Sequence, residues 1–560
     1  MSTKTRKTLS RKALGIAIVG FFIVMPFSGC IGQEKVERVL RIGHDHEPTF
    51  MDPALFTWTA DHAILSNIYS YLIGFEPGTF NMIGDLAKEV PTIENGLMSP
   101  DGKTIKFELR TDAKWHPGIP GTPHEGKDYG KVTAHDVVFT IERNMGLHDL
   151  APGDVIYGML YKNVDYVEAT DDYTVVIHMK EVDVGLLWAL APYRNGAIVH
   201  KEAIEDYGAG IEGEYFKWPI GSGPFKFDHW TENEEFVIVK NEDYYGKEPW
   251  LDKIVYIPYE DENVRYTALE AGDIDIASPM SLKELWDETA ANPDLEITSR
   301  VGLGNRGISF NFEWEAPDGR KPLSDVRVRR AIAHATEKET TIPALLVDTP
   351  AVGFLNPGYA GSIYKEEDFP PEYLYPYDIE KSKKLLAEAG YPDGIDLIFH
   401  TVTLPPLDIL APVYKEQWAK AGIRIEIVLE ETSAWYERMV IKADYCVGWL
   451  PLGARPPESI VILTTIFHSV KPGEPYGLNF AKYNNSETDA LIDQAAVTVD
   501  TEARYELYRQ IQINLMRDLP VYPYTWEMTW LANNKKVKNI YVDLFNAHGD
   551  WMEEIVIEEG

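Results

Sequence analysis

Apolar residues recur along the chain with two different periods, and each period predicts an element. In Thr104-Ile-Lys-Phe-Glu-Leu-Arg110 every second residue is apolar, at Ile105, Phe107 and Leu109, as in a strand with one buried face. Val175, Ile177 and Met179 repeat that spacing, and the unbroken run Phe236-Val-Ile-Val239 predicts a strand buried on both faces. Further on the period lengthens. After Ser324-Asp325, an N-cap signal, Val328, Ala331, Ile332 and Ala335 fall on one helical face, and Arg329, Arg330 and Lys338 are expected to look to water. Asp378 predicts the start of another helix and Gly390 its end. Ser486 and Asp489 read as a capping box ahead of Leu491, Ile492 and Ala495, and Glu502 to Met516 reads as one more helix. Ser99-Pro-Asp-Gly102 is a turn ahead of a strand, and Gly221-Ser-Gly-Pro224 predicts glycine backbone at positive φ beside a tight corner. Strand signals on both sides of inserted segments, with no internal repeat, predict α/β lobes between which the chain crosses more than once.

The first thirty residues follow another pattern. Lys4, Arg6, Lys7, Arg11 and Lys12 precede the apolar run Ala13 to Met25, then Pro26-Phe-Ser-Gly-Cys30. This is the layout of an export signal: the basic residues stay in the cytoplasm while the apolar run enters the bilayer. Phe27-Ser-Gly-Cys30 resembles the lipobox of exported lipoproteins, with Phe where Leu is usual, and makes Cys30 the lipidation candidate. An uncleaved segment would serve as a single N-terminal anchor. Either way the body is expected on the outer face of the cytoplasmic membrane, extracellular or periplasmic, with residues 31–36 as a polar tether.

Length and charge narrow the class. At 560 residues the chain exceeds one ordinary core, so two or three domains are expected. The formal charge is −35, and removing the leader takes away five positive charges and no carboxylate. With no basic run in the body, a nucleic-acid partner is excluded. The only other cysteine, Cys446 between Tyr445 and Val447, reads as a small buried hydrophobe. No phosphate loop, dinucleotide fingerprint, zinc-hydrolase motif or nucleophile elbow is present, so neither a cofactor nor an enzymatic activity is assigned.

A series of short segments carries a resemblance that runs nearly end to end. Among them are Pro48-Thr-Phe-Met-Asp-Pro53, Gly84-Asp-Leu-Ala87, Val132-Thr-Ala-His-Asp-Val-Val-Phe139, Gly221-Ser-Gly-Pro-Phe225, Ala271-Gly-Asp-Ile-Asp275, Asp325-Val-Arg-Val-Arg-Arg-Ala331 and Val447-Gly-Trp449. Their order resembles that of solute-binding protein family 5, the oligopeptide-, dipeptide- and nickel-type extracellular binding proteins of ABC transporters. The resemblance implies a type II periplasmic-binding-protein-like α/β body of two lobes with an extra inserted domain. Lobe I is expected at 37–68, 178–304 and 525–560, the inserted domain II at 69–177 and lobe III at 305–524. It also implies a monomer that closes on a ligand by hinge motion and presents it to permease subunits.

Candidate ligand contacts follow from position. Trp435 and Trp449 fall where relatives line the cleft. Tyr524 and Trp526 lie at the return crossing toward lobe I, Asn305 and Arg306 at the opposite crossing, and Arg455 follows the Gly-Trp motif. His46 and Glu47 are further contacts by position. His44 and His46 are two apart and project to one side, but no third ligand is defined, so they read as polar lining and no metal site is assigned. Peptide-binding relatives place an Asp after the Gly-Trp, and Leu452 stands there instead. A buried ammonium without a partner is costly. Glu47 or Glu458 would have to replace it, or the ligand is an oligosaccharide or other neutral polar molecule. Rival readings are an exported hydrolase and a surface receptor acting on the same oligomers.

Overall fold

The computed structural model describes residues 37–560 except 56–58, 80, 151–154, 156–157, 193–194, 211–212, 404–406, 453–456, 470–477, 543–550 and 559–560. The expected leader, the tether, Cys30 and Arg455 lie outside the described residues. Residues 38–560 form one compact unit. Its frame is a mixed sheet of strands β1 (Val39–His44), β2 (Phe225–Thr231), β3 (Glu235–Lys240), β4 (Lys253–Pro258), β5 (Ile276–Met280), β6 (Leu295–Phe310), β7 (Thr349–Pro350), β8 (Ile395–Val402), β9 (Ile423–Glu430), β10 (Val447–Leu452) and β11 (Val521–Asn534). The order is β9-β8-β10-β6-β11-β5-β1-β4-β3-β2, with β7 paired to β11.

Parallel pairing occurs on both sides of the sheet: β1 lies between β4 and β5, and β8 lies between β9 and β10. What joins them is the antiparallel pair β6 and β11, which runs from Leu295 opposite Asn534 to Ser309 opposite Val521, with irregularities between Val301 and Asn305 and between Arg306 and Gly307. The buried apolar residues divide accordingly. One core runs from Leu303 to Tyr524. A second takes residues from Leu40 to Ile276 together with Leu531, Val537, Val542, Met552 and Ile555. A small third cluster packs Leu295, Trp530 and Ala532 with residues 266–285.

The alternating segments form the strands they predict. Thr104–Glu108 pairs with Thr174–Met179, which pairs with Val164–Asp171, in a separate antiparallel sheet. Ile105, Phe107, Val175 and Ile177 are buried there. The caps are mostly as expected: Asp325 accepts from the Arg327 amide at 2.8 Å and Asp378 from the Lys381 amide at 2.9 Å. Gly390, just past the helix Ile379–Glu388, has φ +90°.

Three expectations are corrected. The third capping site is Asn485, not Ser486: its side-chain carbonyl accepts from the Glu487 amide at 2.9 Å, while Asp489 turns away to the Ser469 amide. Gly221 and Gly223 are not at positive φ; they are needed for close approach. A Cβ at Gly221 would stand 2.0 Å from the Ile68 carbonyl oxygen, and one at Gly223 2.8 Å from the Asn67 oxygen. The basic side of helix Val326–Ala335 does not face water. Arg329 is buried and donates to the carbonyls of Leu323, Asp518 and Leu519, and Arg330 to that of Arg517. The Arg517, Asp518 and Leu519 carbonyls end helix Thr501–Asp518, where unpaired acceptors and the helix dipole favour a cation. Lys338, half-buried, donates to the Ala351 carbonyl.

The Pro48–Pro53 segment is pinned by charge. Asp52 and Arg143, each with a side chain 1% exposed, make a two-pronged pair at 2.8 and 2.7 Å, and Arg143 also reaches Asp149 at 2.9 Å. Removing one member leaves the other charge buried, which costs about 3–5 kcal/mol. Asp52→Ala is therefore expected to lower stability in urea by about that much, and Asp149→Ala, at the more exposed partner, by less. Equal effects of the two substitutions would refute this account of the segment.

Candidate functional site

The crossing strands position most of the predicted residues. Asn305 pairs across the ladder with Trp526, and Arg306 with Thr525. On its other side Asn305 pairs with Leu452 of β10. The Asn305 side chain is buried and accepts from Asn356 Nδ2 at 3.2 Å. Trp526 is fixed by its indole N–H, which donates to the Gly353 carbonyl at 3.1 Å. Arg306 forms an ion pair with Asp348 and lies 3.2 Å from Glu527 Oε1 through its Nε. Asp348 also accepts from the Thr525 hydroxyl at 3.0 Å and the Met528 amide at 3.2 Å. One guanidinium thus faces two carboxylates. Burial, with Asp348 alongside, pushes the Glu527 carboxyl above its usual range, and Arg306 opposes that rise.

The aromatic residues form a wall in the second half of the chain. Trp449 and Tyr524 are fully buried with ring centroids 5.4 Å apart, and Tyr414 lies 5.5 Å from Trp449 and 5.3 Å from Tyr524. Phe399 and Trp418 extend the cluster. Trp435 is buried on the short helix Thr432–Tyr436. The indole nitrogens of Trp435 and Trp449 are buried without a hydrogen-bond partner among the described residues. Such donors are rare enough in native structures to call for an explanation.

His46 and Glu47 lie just past β1. Strand β5 runs from Ile276 opposite Asn533 to Met280 opposite Trp530, toward the crossing, and β1 is parallel to it. The C-terminal end of β1 therefore points to the crossing, as ligand-binding ends of parallel strands do. Glu47 is not turned to a solute: its Oε1 accepts from the Trp230 indole at 2.9 Å and the Asn233 amide at 2.7 Å. Glu458 is likewise engaged. It is buried, accepts from the Tyr508 hydroxyl at 2.5 Å and sits 3.5 Å from Arg504 Nε. Both suggested replacements for the missing Asp are thus spent on structure.

The sequence reading missed Asp348, Glu527 and Tyr414. Nothing in their local pattern marks them, because they acquire their role only when the crossing strands bring them to Arg306 and Trp449.

Two apolar cores threaded by a single strand pair, with ionic and aromatic side chains collected at the passage, make this a two-lobed α/β binding protein. The family model described as bacterial extracellular solute-binding proteins, family 5, middle region, matches residues 81–474, and the chain belongs to that family. It is similar to heme-binding protein A of Haemophilus influenzae, with 28% identity covering 88% of this chain and 87% of that one. It is similar as well to the dipeptide-binding protein of Escherichia coli, with 27% identity covering 90% and 91%. A solved structure of an ABC transporter-associated periplasmic binding protein from Helicobacter pylori, in complex with peptide STSA, superposes with a TM-score of 0.71. Its identity is 25%, covering 93% of this chain and 98% of that one. Among the described residues no helix is long and apolar enough to cross a membrane.

Arg306→Ala is expected to leave Asp348 and Glu527 facing each other. A carboxylate whose folded pKa is raised, as that of Glu527 is, contributes stability that is present below its ordinary range and lost as pH rises through the raised value. The variant should approach wild type in denaturant unfolding at about pH 4.5 and fall roughly 3 kcal/mol below it at about pH 8. A deficit independent of pH would remove Arg306 from this electrostatic role.

Proposed function

We propose that the protein captures peptides or peptide-like solutes with a free amino group and hands them to the permease of an ABC importer. The observation that carries this reading is the charge at the crossing: Arg306 faces both Asp348 and Glu527, so the cluster keeps one negative charge in excess. The Glu527 side chain is 31% exposed and can meet a solute. An arriving ammonium satisfies the excess, so no dedicated Asp at position 452 is needed. The unpartnered indole N–H groups of Trp435 and Trp449 suit a solute rich in carbonyl oxygens. The similarity to the dipeptide-binding protein of Escherichia coli and to the peptide-bound Helicobacter pylori structure supports the same class.

In this reading lobe I comprises 37–68, 178–304 and 525–560, domain II 69–177 and lobe III 305–524, and the solute sits between lobes I and III. The body works as a monomer tethered through Cys30. Binding holds the lobes closed because the solute makes contacts that only the closed form offers.

A panel of di- and tripeptides, their N-acetylated forms, oligosaccharides and heme tests this by thermal shift. A peptide at a hundred times its Kd should add about 2.7 kcal/mol of stability. Glu527→Gln should weaken free-amine peptides about ten-fold, or about 1.4 kcal/mol, and leave the affinity for acetylated ones unchanged. Stabilisation by oligosaccharides alone would overturn the proposal.

A further inference from the structure

The chain bends immediately after β1, and the bend brings together three groups that the strand alone would separate. His44 closes the strand and is buried; Asp45 and His46 follow in the bend. In a continuous strand Asp45 would project to the face opposite the two histidines. Here its Oδ1 lies 2.8 Å from His46 Nδ1 and 3.5 Å from His44 Nδ1. One donor atom from each of the three residues falls within 4.8 Å of the others. A tetrahedral ion about 2.0–2.1 Å from each donor holds its ligands roughly 3.3 Å apart. The two measured separations bracket that value.

We infer that His44, Asp45 and His46 form a binding site for a divalent first-row transition ion of the Zn²⁺, Ni²⁺ or Co²⁺ kind. Two imidazoles and one carboxylate are a donor set for such ions, and three donors leave coordination positions open. The surroundings hold the donors in place. The His44 ring meets Tyr256 edge-on at 6.0 Å. Asp45 is 35% and His46 24% exposed, so an ion has a path in from solvent.

Charge nearby is mixed. Arg265 is buried beside the site, with its guanidinium donating to the carbonyls of Tyr259 and Pro279. Asp61, whose carboxylate accepts from the Thr49 amide and hydroxyl at 2.8 and 2.6 Å, acts on His46 from the other side. With Asp45, the two carboxylates outweigh the one guanidinium.

The test uses the metal alone and so stands apart from the question of the solute. Purified protein freed of metal by a chelator is titrated with Co²⁺ and Ni²⁺, followed by calorimetry and by the visible absorption of bound Co²⁺. One ion per chain is expected, with affinity falling at least ten-fold in both Asp45→Asn and His46→Ala. His229→Ala, at a surface histidine between Asp228 and Glu235, serves as the control and should bind as wild type does. The two substitutions sit at partly exposed side chains, so a variant whose melting temperature shows it misfolded leaves the other to decide. Absence of a stoichiometric site, or unchanged affinity in a folded variant, would overturn the assignment.

Discussion

The structure depends on the antiparallel ladder between Leu295–Phe310 and Val521–Asn534. Its second strand gives Val521, Tyr522 and Tyr524 to one large core and Leu531 to the other. A hydrogen-bonded strand pair resists sliding and stretching but tolerates twist and bend, most of all where its register is broken. The irregularity between Val301 and Asn305 is such a place. Asn305 and Arg306 stand directly after it, so the residues that hold the local charge are also those a bend would displace. Arg306 binds Asp348 ahead of β7 and Glu527 on β11, and so ties three segments at the point where the ladder is weakest.

Arginine organises the interior of an otherwise acidic protein. Arg143 holds two carboxylates, Arg329 joins the carbonyls at the end of a long helix to that of Leu323, Arg265 bridges the carbonyls of Tyr259 and Pro279, and Arg306 faces two acids. A planar guanidinium with five donors can satisfy several acceptors from one buried position, which an ammonium on a flexible stem does less well. The net charge of −35 therefore describes the surface. Inside, cations placed one at a time decide which carboxylates remain charged.

Much of this was legible in the sequence because much of it is local. Strand alternation at 104–109 and 175–179, the caps at Asp325 and Asp378 and the turn at Ser99–Gly102 rest on period and side-chain chemistry within a few residues. The family order of segments put Asn305, Arg306, Tyr524 and Trp526 at the expected crossings, and the ladder pairs Asn305 with Trp526 and Arg306 with Thr525. What failed to show depends on partners distant in sequence. The exposure of Arg329 was misjudged because the carbonyls that bury it belong to residues 518 and 519. The role of Gly221 was misread as one of φ because the obstructing carbonyl is that of Ile68. Glu47 and Glu458 were open candidates until Trp230, Asn233, Tyr508 and Arg504 were seen to occupy them. Asp45 went unnoticed beside its two histidines because alternation places it on the wrong face, and only the bend reverses that.

The same distinction bears on recognition of a solute. A dedicated Asp in a cleft is a local feature that a motif can reveal, and its replacement by Leu452 looks like the loss of an amine-binding site. Electrostatics does not require the balancing charge to sit at one residue. Glu527 is already held above the ordinary carboxyl range by burial and by Asp348, with Arg306 shared between them. A group in that state gains most from a second cation, because the ion's arrival relieves repulsion between the acids as well as pairing with one of them. An ammonium bound there would favour the ionised form of Glu527. Charge recognition distributed over three residues on separate segments would leave no motif, so substitution at one position is weak evidence for a change of ligand class.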